Sequence, residues 1–121
     1  MIKLADRPYS QHSQDALKLL GQLIREGRIV RAMTTTDLAL RAGISRALLQ
    51  RIERGDPGCS VGVVFEVAVL CGVPLFEPNS KLLAMTLTRH SEKMALLPKS
   101  VRFSLREPDE DGIAIVRSQP A

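Results

Sequence analysis

Few residues in this chain could act on another molecule, and most of those point away from covalent chemistry. His12 and His90 are the only histidines, and Cys59 and Cys71 the only cysteines. They lack the paired spacing of a zinc site. The two histidines lie far apart in polar stretches and read as surface residues. No Ser/His/acid set stands out, and no glycine-rich loop is present to cradle a phosphate. No catalytic residue, metal or cofactor is therefore expected. What remains is recognition chemistry. Arg46, Ala47, Gln50 and Arg51 sit close together. An arginine can pair bidentately with guanine, a glutamine with adenine, and an alanine methyl can touch that of thymine. Thr35, Thr36, Arg41 and Arg54 flank them, with the hydroxyl and guanidinium groups that bind phosphates. For each arginine the plain alternative is a solvated surface charge.

Those side chains need a rigid mount, and the stretch Thr34–Gly55 predicts one: two short helices, 35–42 and 46–54, joined by a tight turn. Thr34 suits an N-cap, and Asp37 stands three residues on, where a capping box places its acid. Leu38, Ala39 and Ala42 share one helical face. Gly43 follows at once, where a chain leaving a helix often needs positive φ. Ser45 can cap the second helix, Leu49 and Ile52 point inward, and Gly55 ends it. Glu53 reads as a structural cap or ion-pair partner. Arg46, Ala47 and Gln50 then project from the exposed start of the second helix, and Leu48 either joins them or turns inward.

Leu38-Ala39, Gly43, Ser45, Leu49, Ile52-Glu53 and Gly55 resemble the Xre, or phage-repressor-like, helix-turn-helix family, and the similarity covers about residues 14–75. The resemblance implies an all-α, five-helix lambda-repressor-like fold. It also implies that the second helix of the motif lies in the major groove, with base contacts from its N-terminal residues. Arg46, Ala47, Gln50 and Arg51 are thus expected to read bases. Thr35, Thr36, Arg41 and Arg54 are expected to hold phosphates.

Charge placement agrees. Residues 1–60 hold ten Lys/Arg against six Asp/Glu, and residues 61–121 hold seven of each. The basic excess therefore coincides with the helix pair, as a phosphate-facing surface requires, although a charge of +4 also suits an ordinary solvated face. Two cysteines in a small helical chain suggest free thiols in a reducing cytosol. No run of ~18 apolar residues suggests a membrane span, and Met1–Tyr9 has no apolar core of a signal peptide. The expected location is cytoplasmic.

The remaining segments frame this unit. Residues 1–12 read as a flexible N-terminal arm and 13–97 as the DNA-binding domain. Residues 98–121 read as a strand or tail for dimer or partner contacts. Ser13 is expected to cap a first helix at 14–31, with Ala16, Leu20, Leu23 and Ile24 as its core stripe, widened by Leu17 and Leu19. Arg25, Arg28 and Arg31 near its end suit the helix dipole and could also reach a phosphate. A fourth helix, 61–71, capped by Ser60, is apolar nearly all round. β-Propensity alone would allow a strand there, but the cap, the length and the resemblance favour helix. So small a domain cannot bury every side of it, so Val63 and Val69 are expected to meet a partner. A fifth helix, 81–96, has room for a break near His90-Ser91. After Pro98, Val101, Phe103 and Leu105 alternate with polar residues in the period of a half-buried strand. Residues 107–112 make a loop and 113–116 could return. These strands would lie on a partner, and a disordered tail is the equal alternative.

The order of a basic Xre-type domain, a helix, Leu96–Arg102 and an acidic tail also resembles HipB-like antitoxins. That resemblance implies a dimer that represses its own operon and binds a HipA-type kinase toxin. The alternatives are a stand-alone Xre-type repressor and a protein-interaction adaptor on the same fold. Retained charge asymmetry disfavours the adaptor.

Overall fold

The computed structural model describes residues 9–101. Within them are five helices and no strand: α1 Gln11–Val30, α2 Thr35–Ala42, α3 Arg46–Glu53, α4 Val61–Leu70 and α5 Ser80–Ala95. The all-α expectation holds, and α2 and α3 fall where the sequence places them. α1 begins earlier than expected. Ser10, not Ser13, is its N-cap, and the Ser10 hydroxyl accepts the Ser13 N–H. Part of the stretch read as an arm is therefore the first turn of α1. α5 runs unbroken through His90-Ser91, so the expected interruption is absent. Its N-cap is Asn79, whose side chain accepts the N–H groups of Lys81 and Leu82.

α1 to α4 form one compact unit that ends at Pro78. Its core is Ile24, Met33, Leu38, Ala39, Leu49, Ile52, Val67, Ala68 and Cys71. Each large apolar side chain buried there contributes about 1.5–3 kcal/mol. α1 packs on α3 and α4, and α2 packs on α3 and α4. Two glycines of α1 set the closeness of that packing. A Cβ on Gly21 would stand 2.5 Å from the Glu53 carbonyl oxygen, and one on Gly27 would strike the Cys71 carbonyl oxygen. Only a residue without a Cβ lets α1 lie against the ends of α3 and α4. The expected stripe of α1 narrows accordingly. Ile24 is buried and Leu20 half-buried, whereas Ala16, Leu19 and Leu23 are exposed.

All four helices of this unit end the same way. After α1, α2, α3 and α4, a residue two or three positions past the helix donates its N–H to a carbonyl five residues back: Met33 to Arg28, Ile44 to Ala39, Asp56 to Arg51, Val73 to Ala68. That geometry needs a left-handed residue in between. Gly43, Gly55 and Gly72 supply it, but after α1 the residue is Ala32, at φ 56°. A side chain at such a φ costs roughly 1–2 kcal/mol.

α5, the described helix of the second unit, buries no residue. No described helix is long and apolar enough to cross a membrane. Residues 1–8 of the expected arm, Phe103, Leu105, the 107–112 loop and the 113–116 segment lie outside the described residues.

Candidate nucleic-acid interface

The α2–turn–α3 unit is fixed at each corner. At the start of α2 the Thr34 hydroxyl accepts the Asp37 N–H at 3.0 Å, while the Thr34 N–H donates to the Asp37 carboxylate at 3.0 Å. This is the reciprocal box expected from the sequence. The contact with the Thr34 N–H, first among the causes, holds the Asp37 carboxyl below its ordinary pKa. Gly43 closes α2 at φ 69°, with open space around it. The Ser45 hydroxyl then accepts the Leu48 N–H at 3.1 Å and starts α3. Leu38 and Ala39 of α2 and Leu49 and Ile52 of α3 are buried, so each helix is pinned by one face and offers the other.

The offered face of α3 carries Arg46, Ala47 and Gln50, all exposed. They sit on the first turns, where four backbone N–H groups lack helical partners and the dipole is positive, an end that favours an approaching anion. Leu48 is half-buried and packs against the core, which settles the choice left open for it. Thr36 and Arg41 are exposed on α2, Thr35 is half-buried at its first position, and Arg54 is exposed just past α3. All the expected phosphate ligands therefore lie at or near the ends of the two helices.

Arg51 differs from its neighbours. Its Nε donates to the Asp56 carboxylate at 2.9 Å, and the other oxygen of that carboxylate accepts the Gly58 N–H at 2.8 Å. The pair is mutual: the Arg51 guanidinium pulls the Asp56 carboxyl below its ordinary value, and Asp56 raises Arg51. The Arg51 side chain remains 43 % exposed.

Sequence reasoning missed the partner of Glu53. Arg28 of α1 reaches across to it, donating Nε and Nη2 to the two carboxylate oxygens at 3.1 Å each, while Nη1 donates to the Met33 carbonyl at 3.1 Å. The side chains are only 12 % and 9 % exposed. Arg28 is thus a structural clamp, not a free cation for the dipole or a phosphate. Glu53 is the ion-pair partner that its place in the motif suggested. No local pattern could have linked residues 25 positions apart. Arg31 does serve the end of α1, donating to the Gly27 carbonyl at 3.4 Å. Burial raises the thiols of Cys59 and Cys71 above their ordinary pKa, so neither is an activated nucleophile.

The outer face of α4 is apolar. Val61, Phe65 and Val69, one helical turn apart, are 65 %, 36 % and 59 % exposed. Val63, expected to meet a partner, instead packs half-buried against the core; Val61 and Phe65 take its place beside Val69 on the outer stripe. Val101, in the second unit, is 66 % exposed.

No curated protein and no solved structure matches the chain. Residues 19–77, from within α1 to near the end of the compact unit, match a family model described as a helix-turn-helix domain, and α2, the Gly43 turn and α3 lie within the matched stretch.

Proposed function

We propose that this protein is a sequence-specific DNA-binding transcriptional regulator that acts as a homodimer and represses its own operon as the antitoxin of a HipA-type kinase toxin. The observation that carries the DNA-reading part is the division of α3. Leu49 and Ile52 anchor it in the core, while Arg46, Ala47 and Gln50 stand exposed on its first turns. These three groups can address guanine, a thymine methyl and adenine in the major groove. Thr35, Thr36, Arg41 and Arg54 position the helix on the backbone without reading sequence.

Two considerations support the homodimer reading, the span of such operators and the outer face of α4. One such unit covers a short half-site, and dimers of this motif span half-sites about 34–36 Å apart. The Val61–Phe65–Val69 stripe provides uncharged surface for a sister subunit or a toxin. Support for the toxin is the order of segments along the chain, a basic domain followed by a helix and an acidic stretch.

The experiment selects duplexes from a random pool with the full chain, then titrates the selected duplex and a scrambled one while light scattering follows mass. The expected result is selective binding by a species of twice the chain mass. A monomer with and without DNA would overturn the homodimer, and equal binding to both duplexes would overturn the sequence reading. Co-expression with a kinase encoded beside the gene should yield a complex; a kinase that stays free removes the antitoxin role.

A further inference from the structure

We infer that Asp56 is a positioning residue that fixes the Arg51 guanidinium for guanine recognition. This rests on the DNA-reading function proposed above and adds a residue to it that the sequence did not single out. Asp56 lies in the Asp56-Pro57-Gly58 turn and has two carboxylate oxygens with separate tasks. Oδ1 accepts the Gly58 N–H at 2.8 Å, which closes the turn on itself. Oδ2 accepts the Arg51 Nε–H at 2.9 Å. The carboxylate is therefore oriented by the backbone before it orients the arginine.

The consequence lies in which donors are left. An arginine has five N–H groups in a planar fork. With Nε taken by Asp56, the end of the fork formed by Nη1 and Nη2 remains, and it has the paired-donor geometry that matches guanine O6 and N7. A free arginine loses side-chain entropy when it is captured in one rotamer. Arg51 has already been restricted by a contact within the protein. The space for this is specific to Gly58: a Cβ there would stand 3.1 Å from Arg51 Nη2 and 3.2 Å from Asp56 Oδ1. Two features of the turn thus converge on one guanidinium, an acceptor at Nε and an absent side chain beside Nη2.

A purely structural ion pair would stabilise the end of α3 and leave base preference alone. A positioning role makes a different prediction. Asp56→Asn keeps an oxygen for the Gly58 N–H and so preserves the turn. It then places the amide NH2, a donor, against the Arg51 Nε–H and releases the guanidinium. It also removes a negative charge near the DNA, so binding to random duplex should strengthen or stay level.

The test runs the full chain, Asp56→Asn and Arg51→Ala through selection from a random duplex pool. The selected duplex and its single-base variants are then titrated, with thermal melting to check folding. Arg51→Ala should abolish discrimination at one guanine position, a loss of about 5- to 150-fold for a bidentate contact. Asp56→Asn should cut discrimination several-fold at that same position only, with its melting temperature and random-duplex affinity preserved. Discrimination unchanged in Asp56→Asn while Arg51→Ala loses it would overturn the role of Asp56 and leave DNA reading intact. Full discrimination in Arg51→Ala would overturn the inference through Arg51 itself. No enrichment by the unaltered chain would overturn the DNA reading, and this inference with it. Should Asp56→Asn melt early, Gly58→Ala gives a second approach, because its Cβ would stand 3.1 Å from Arg51 Nη2 and 3.2 Å from Asp56 Oδ1 and so crowds the pair while both charges are kept; it is expected to cause the same single-position loss.

Discussion

Two arginine–carboxylate pairs meet at the end of α3, and their difference separates a buried clamp from a solvent-facing contact. Arg28–Glu53 joins α1 to α3, is bidentate, and is about nine-tenths buried. All three of its guanidinium nitrogens donate to protein, including Nη1 to the Met33 carbonyl. Arg51–Asp56 joins α3 to the turn that follows it, through Nε alone, and both side chains are a third or more exposed. The first pair is closed off by burial. The second keeps its Nη groups and faces water. The same two chemical groups thus serve packing in one place and solvent-facing presentation in the other, and burial decides which.

The contrast can be broken most directly by removing each arginine in turn. Arg28→Ala strands Glu53 in a dry environment and should cost about 3–5 kcal/mol of stability, read by denaturant unfolding. Arg51→Ala should barely move the unfolding midpoint, because exposed pairs contribute little. Equal losses from the two would erase the distinction. Next in size is a binding effect: Arg46→Ala, at the exposed start of α3, should cost about 1–3 kcal/mol on a selected duplex and relax one base position. An equal loss on scrambled DNA would move Arg46 from base to backbone contact.

The cap of α2 provides a smaller effect. Thr34→Ala should cost about 1 kcal/mol. The Thr34 N–H holds the Asp37 carboxyl below its ordinary value of 3.8. A carboxyl lowered on folding stabilises fully above its unfolded value and loses that contribution as pH falls through the lowered folded value. Stability should therefore fall with acid below about pH 4, and less steeply in Asp37→Asn; matching acid limbs would contradict this. Arg41→Ala should weaken binding to all duplexes alike and shallow the salt slope by about one unit, an effect that a sequence-dependent loss would exclude. The smallest change is a gain. Ala32→Gly relieves a left-handed alanine at roughly 1–2 kcal/mol, offset by roughly 0.5–1 kcal/mol of extra backbone freedom in the unfolded chain. A net rise of about 0.5 kcal/mol is expected, and a lower melting temperature would show that the strain is absent.

The amino-acid sequence by itself determined what depends on near neighbours. The Thr34–Asp37 box, the Gly43 turn, the Ser45 cap and the inward pair Leu49–Ile52 are set within four residues of chain, and the helices fall where those signals stand. The exposed placement of Arg46, Ala47 and Gln50 follows from the same period. Local signals misplaced the start of α1 because Ser10 and Ser13 are both competent caps, and helix ends are settled by one or two hydrogen bonds. Only the tertiary structure decided what each surplus group meets. It turned Arg28 inward onto Glu53 and made Gly21 and Gly27 contact points instead of weak helix formers. It also put Val63 against the core and Phe65 outside, in a helix so uniformly apolar that periodicity could not choose its buried side. It tied Arg51 to Asp56 as well, although nothing in their spacing distinguishes a partner from a neighbour. The physical reason is common to these cases: burial and long-range pairing depend on which surfaces are pressed together, and that information lies in the packing of α1 and α4 against the helix pair.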